Sequence, residues 1–153
     1  MSPAGSGRPI PGLLPDALLT NLEIAWAERD EEASQLVAAG YNSTAMALRL
    51  YSLEIRFKTI VCKQLKLSRL PRACRTHDLS ELIIFTGMWE ELDDPAKLAI
   101  RQNWDLLADF SKGRLNDQRY LPRGTFGPTE FKRLTDALDD PVDGVLTWLS
   151  KHP

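Results

Sequence analysis

Cysteine and histidine are both scarce, with two of each in 153 residues. Cys62 and Cys74 stand twelve positions apart, with no CxxC spacing and only His77 nearby. A structural zinc site needs four ligands, so neither a metal nor any other cofactor is expected, and the cysteines read as reduced thiols, with Cys62 in a helical core. Long apolar runs are also missing. Leu82–Phe85 is as long as any, against the ~20 residues that a spanning helix requires, so no membrane partner is expected. Met1–Pro15 has no apolar stretch of the kind a secretory signal carries, and a cytoplasmic location follows as the expectation. Alternating apolar and polar positions are absent too, which leaves no candidate strand.

Charge of one sign is not in excess overall. Nineteen basic residues face twenty-one acidic ones, a formal net charge of −2. Its distribution is uneven. From Arg49 to Arg75 eight cations (Arg49, Arg56, Lys58, Lys63, Lys66, Arg69, Arg72 and Arg75) oppose Glu54 alone, a local +7 that leaves −9 for the rest of the chain. Such asymmetry points to an anionic ligand, a nucleic acid or an acidic partner surface.

At 17.2 kDa the chain is one domain long, large enough to bury a core without disulfide or metal staples. Residues 1–12, rich in Gly, Pro and Ser, read as a disordered leader, and 13–151 as a single domain. Leu18, Leu22, Ala25, Trp26, Ala33 and Leu36 recur at helical spacing up to a stop at Gly40. Asn42 or Ser43 can cap a second helix reaching about Leu67, whose buried stripe is Met46, Leu50, Leu53, Phe57, Ile60 and Val61. Arg49, Arg56 and Lys63 are spaced by seven and share another face of it. Thr76 can cap a short third helix that ends at Gly87. Asp94-Pro95 opens a fourth, with Ile100, Trp104 and Leu107 on one face. Arg114–Pro128 reads as a long loop, followed by apolar positions around Phe131–Leu138 and Val142–Leu149. The expected fold is all-α, an antiparallel bundle of four to five principal helices. Glu90, Glu91, Asp93 and Asp94 lack the glycine and alternating ligands of a calcium loop, and Asp94 reads as a helix cap.

Four short pieces, in order, resemble the HEPN family (higher eukaryotes and prokaryotes nucleotide-binding). Trp26-Ala27-Glu28-Arg29-Asp30 with Gly40-Tyr41 is similar to the family's acidic helix ending and Gly-aromatic turn. Tyr51-Ser52-Leu53-Glu54-Ile55-Arg56-Phe57-Lys58 resembles its Tyr-Ala-x-Glu-x-x-Leu-Lys helix. Thr76-His77-Asp78-Leu79 with Leu82 resembles its Thr-His-x-Leu-x-x-Leu helix start, and Asn103-Trp104 followed by Arg119-Tyr120-Leu121-Pro122 its Arg-Tyr element. The resemblance implies a compact helical bundle, commonly homodimeric. It further implies one of three roles: partner of a small nucleotidyltransferase, nucleotide-binding module, or metal-independent ribonuclease of toxin or defence systems. Fold alone does not choose among them.

The ribonuclease members place a His four to six residues after an Arg, and Arg72 and His77 have that spacing. A histidine near its free pKa can move a proton at a ribose hydroxyl, and an arginine can hold the phosphate. Yet Ala73 stands where a polar residue is usual, and the pair precedes the third helix rather than lying late in the chain. His77 also has a structural reading, as a first-turn residue of that helix. Glu54 and Lys58 form an i,i+4 pair, and Lys58 with Arg56 is a candidate phosphate contact. Arg119 and Tyr120 either clamp a base and phosphate or serve the bundle, Tyr120 against Trp104 and Arg119 against Asp30. The leading expectation is a binding module for nucleotide or RNA using Arg49, Arg56, Lys58, Lys63, Arg119 and Tyr120, as a homodimer beside a nucleotidyltransferase or antitoxin partner. The alternatives are a metal-independent endoribonuclease using Arg72 and His77, and a protein-interaction adaptor.

Overall fold

The computed structural model describes residues 17–118 and 120–152, apart from the side chain of Asn116. The expected leader, residues 1–12, lies outside the described residues. Every regular element described is helical; the sole extended feature among them is an isolated bridge between Leu18 and Arg69. In chain order the helices are α1 (Leu19–Ala38), α2 (Asn42–Gln64), α3 (Leu79–Phe85), α4 (Trp89–Leu92), α5 (Leu98–Gly113), α6 (Leu115–Gln118), α7 (Pro128–Asp139) and α8 (Val145–Leu149). Two 3₁₀ turns, Arg72–Cys74 and Pro95–Lys97, precede α3 and α5.

α1 and α2 form an antiparallel hairpin. Its sense is written in the side chains that cross it: Asp30 meets Arg49, the Trp26 carbonyl accepts from Ser52 Oγ at 2.6 Å, and Glu23 meets Lys63. The turn works because Gly40, at φ +83°, takes the left-handed position that closes α1 (Gly40 N to Val37 O at 3.0 Å, Tyr41 N to Leu36 O at 2.8 Å). The second helix does not use Asn42 or Ser43 as its cap. Tyr41 holds that place without a side-chain bond, and both polar residues sit inside the first turn. The glycine closure of α1 and the entry to α2 share three residues, so no room remains for a separate capping step.

α2 is the central element. Leu50, Leu53, Phe57 and Ile60 face a core shared with α3, α5, α7 and α8, where the Phe57 and Trp104 rings meet edge to face at 5.2 Å. Burial of this surface, at ~25 cal/mol per Å² of apolar area, is the main force holding the helices together. A second, smaller cluster of Val61, Cys62, Leu70 and Cys74, with Ala17, Leu19 and Leu22 against it, folds the α2–α3 connection back onto the end of α2. Both thiols are free and buried, and burial pushes both above the ordinary thiol range.

The third helix starts two residues later than Thr76 allows. Asp78 is the cap and accepts from Ser80 N at 2.8 Å, while Thr76 Oγ1 accepts from Asp78 N at 3.0 Å. His77 therefore precedes the helix instead of occupying its first turn. Asp94 does cap, accepting from Ala96 N, but it opens the 3₁₀ turn that leads into α5. α4 and α6 lie where the sequence shows no helical period, and α6 breaks the expected Arg114–Pro128 loop. Gly144, which caps α8, admits no side chain, because a Cβ there would meet the Asp140 carbonyl oxygen at 2.5 Å.

Candidate functional site

The three cations spaced by seven do share a face of α2, and that face meets α1. Arg49 reaches Asp30 at 3.3 Å and holds both carboxylate oxygens of Asp139 on α7 at 2.6 Å. Burial disfavours its charge, but Asp139 and Asp30 outweigh that and raise its pKa. The Arg56 guanidinium lies 4.9 Å from the Trp26 ring centre, and burial lowers its pKa against the opposing field of Asp30. Lys63 Nζ sits 2.9 Å from Glu23. Asp30, Trp26 and Glu23 are spaced by four and three residues on α1, so they too share one helical face. These cations thus fasten the hairpin and α7.

Lys58 is buried, with Nζ donating to Glu54 Oε1 at 2.6 Å. The same oxygen accepts from His77 Nδ1 at 3.0 Å. Glu54 is 9% exposed whereas the His77 side chain is 87% exposed, so a buried carboxylate anchors one nitrogen of a ring whose other edge stands in solvent. A cleft of about 530 Å³ opens beside it, lined by Arg29, Tyr51, Glu54, Ile55, Ser111 and Leu115 together with His77. Tyr51 and Leu115 continue into an adjoining hollow of about 240 Å³ along Thr44, Ala47 and Leu48 of α2, and His77 and Ser111 into another beside Asp78 and Lys112. The walls are mostly apolar (Ile55, Leu115, the Tyr51 ring), with a smaller polar part. The polar part includes the His77 imidazole and the Arg29 guanidinium, the latter held by Glu28 and Glu32.

Arg72 is exposed in the 3₁₀ turn before His77 and does not line the cleft. The arginine there is Arg29, which no spacing rule couples to His77, since it comes from α1. Tyr120 does not pack on Trp104: it is 80% exposed, and Trp104 meets Phe57 instead. Arg119 lies outside the described residues. Sequence reasoning also missed Tyr51, Arg29 and Ser111 as site residues. A signal existed for the first: Thr44, Ala47 or Leu48, Tyr51 and Ile55 form a second helical stripe on α2 beside its core stripe. Among the described residues, no group of three His, Cys, Asp or Glu side chains converges as a metal ion would require.

A second histidine–carboxylate pair sits apart from this cleft. Glu91 of α4 accepts from Trp148 Nε1 at 2.8 Å and meets His152 Nε2 at 2.6 Å, with Lys97 at 3.7 Å. Burial works against its charge, but the bonds from Trp148 and His152 and the nearby cations hold it below the usual carboxylate range. The His152 ring also packs edge to face on Trp148 at 5.3 Å.

Compared with protein-family models, with curated proteins and with solved structures, the chain matches none.

Proposed function

We propose that this chain is a HEPN-like antiparallel helical bundle that holds a nucleotide or a segment of RNA in the cleft beside His77. The observation that carries the reading is the anchored, open imidazole. Glu54, buried and paired with Lys58, fixes His77 through Nδ1 at the rim of a cleft that also contains an arginine and an aromatic face. His77 and Arg29 suit a phosphate, by charge-assisted hydrogen bonds. Tyr51, 40% exposed, suits a base, since stacking on an aromatic ring is worth about 1–3 kcal/mol per base. The four pieces of HEPN resemblance, in their order along the chain, support the same reading, and with it a cytoplasmic homodimer working beside a nucleotidyltransferase or within a toxin or defence system. The basic run contributes less than its +7 implies, because Arg49 and Lys58 are neutralised inside the fold and Lys63 pairs with Glu23 at the surface.

One observation favours a second reading, metal-independent RNA cleavage. With Nδ1 donating to Glu54, a neutral His77 ring presents Nε2 as a proton acceptor towards the cleft. In that case Arg29, not Arg72, stands where the phosphate would be held.

Incubation of the purified protein with labelled mononucleotides and labelled RNA in EDTA tests both. Binding should fall by at least fivefold in Tyr51→Ala, the lower end of the stacking range, and should weaken as salt rises. Cleavage that survives EDTA and drops by about 10²–10⁴-fold in His77→Ala would establish the second reading. No binding of either ligand would refute the first.

A further inference from the structure

α1, α2 and α3 end in the same way, with a residue in the left-handed conformation just past the helix. Two of these residues are Gly40 and Gly87, at φ +83° and +71°. The third is Lys66, at φ 53°, the one non-glycine residue with positive φ among those described. Its closure matches that of α1 bond for bond: Lys66 N donates to Lys63 O at 3.1 Å and Leu67 N to Cys62 O at 2.8 Å. A side chain is unfavourable in this conformation and glycine is not. Folding therefore gains nothing from lysine here, and a strained residue of this kind points to a use outside the fold.

Its surroundings indicate the use. Lys63 to Arg69 are seven consecutive exposed residues, a projecting corner at the end of the helical hairpin. Leu65 and Leu67, on either side of Lys66, are 56% and 40% exposed. The small cluster of Val61, Cys62, Leu70 and Cys74 brings the Arg72–Cys74 turn back to this end of α2, so exposed Arg72 joins Lys63 and Lys66 on one pole. We propose that this pole is a peripheral docking surface for an anionic lipid bilayer, with Leu65 and Leu67 entering the interface and Lys66 and Arg72 meeting the headgroups, while Lys63 stays paired with Glu23. A nucleic-acid backbone would engage the cations and offer the leucines little. An amphipathic protein helix needs a groove to lie in, and this corner projects. A bilayer interface accepts both kinds of side chain on a convex surface. The lack of a spanning segment does not bear on such a contact. It is also separate from the His77 cleft, since Gln64 at the end of α2 is ten residues, about 15 Å, beyond Glu54.

Co-sedimentation with vesicles of phosphatidylcholine alone, and with phosphatidylserine added, tests the assignment. The full chain should pellet with the anionic vesicles only, and less so as salt rises. Lys66→Glu and Arg72→Glu should each reduce binding by at least about fivefold, the contribution of one cation near an anionic surface. Leu65→Ser with Leu67→Ser should reduce it further, while leaving the cleft's nucleotide or RNA affinity unchanged. Lys66→Gly separates function from folding: it should raise the denaturation midpoint and still weaken vesicle binding. No pelleting with anionic vesicles, equal pelleting with neutral ones, or binding indifferent to the leucines would overturn the proposal. So would loss of RNA affinity in Lys66→Glu without any vesicle binding, which would make the pole a nucleic-acid contact.

Discussion

His77 and His152 each meet a glutamate, at 3.0 and 2.6 Å, yet the His77 side chain keeps 87% of its area exposed and that of His152 29%. The carboxylates are arranged the other way round. Glu54 is buried with Lys58 beneath an open ring, whereas Glu91, about a third exposed, is covered by Trp148, His152 and Lys97. In the first pair the carboxylate belongs to the core and the histidine faces a cleft. In the second, the histidine closes over the carboxylate and joins α4 to the end of α8. The same two residue types thus serve as a binding edge in one place and as a structural clasp in the other. Burial of each partner, rather than its identity, decides which.

The difference can be broken from the carboxylate side first. Glu54→Ala leaves the Lys58 ammonium buried without its partner, and removing one member of a buried pair typically costs about 3–5 kcal/mol. Chemical denaturation should show a loss of that order, and Glu54→Gln a smaller one because it keeps a hydrogen-bond acceptor. A loss under 1 kcal/mol in Glu54→Ala would mean that Lys58 finds water. On the histidine side the two pairs should separate. His152→Ala removes bonds to Glu91 and to the Trp148 carbonyl and a ring contact, so it should cost about 1–2 kcal/mol by the usual worth of such bonds. Equal destabilisation by His77→Ala and His152→Ala would erase the distinction.

Acid sharpens the contrast further. Glu91 has a lowered pKa in the folded state, so its contribution to stability is complete above the ordinary carboxylate value of 4.5 and is lost as pH falls through the folded value. Glu91→Gln should therefore be less stable than the parent at neutral pH, and the gap should shrink below pH 4.5. A gap that widens with acid would contradict the assignment. The smallest effect belongs to His77→Ala. At so exposed a position, stability should change by no more than about 0.5 kcal/mol, while ligand affinity falls.

Periodicity made much of the fold legible. The apolar stripes of α1, α2 and α5 depend only on 3.6-residue spacing, and the helices form where those stripes are. α4 and α6 were not legible because four residues make a single turn, too short for a period to repeat. The cap at Tyr41 and the left-handed Lys66 were hidden because each follows from how one helix hands over to the next. At the site, His77 and Glu54 stand out as residue types, but their pairing joins positions 23 residues apart. Neutralisation of Arg49 by Asp139, 90 residues away, is likewise a property of the packed helices and not of the charge run. Tyr51 was visible as part of a second stripe on α2, whereas Arg29 and Ser111 come to the cleft from α1 and α5 and carry no local signal.

The chain has only two histidines, so one spectrum can test the central claim. Imidazole carbon–proton NMR of the protein, assigned with His77→Ala and His152→Ala, would be recorded while an RNA oligonucleotide is added in EDTA. The His77 signals should shift progressively to saturation while those of His152 stay in place. Signals of His77 that do not move, or that move no more than those of His152, would contradict the account.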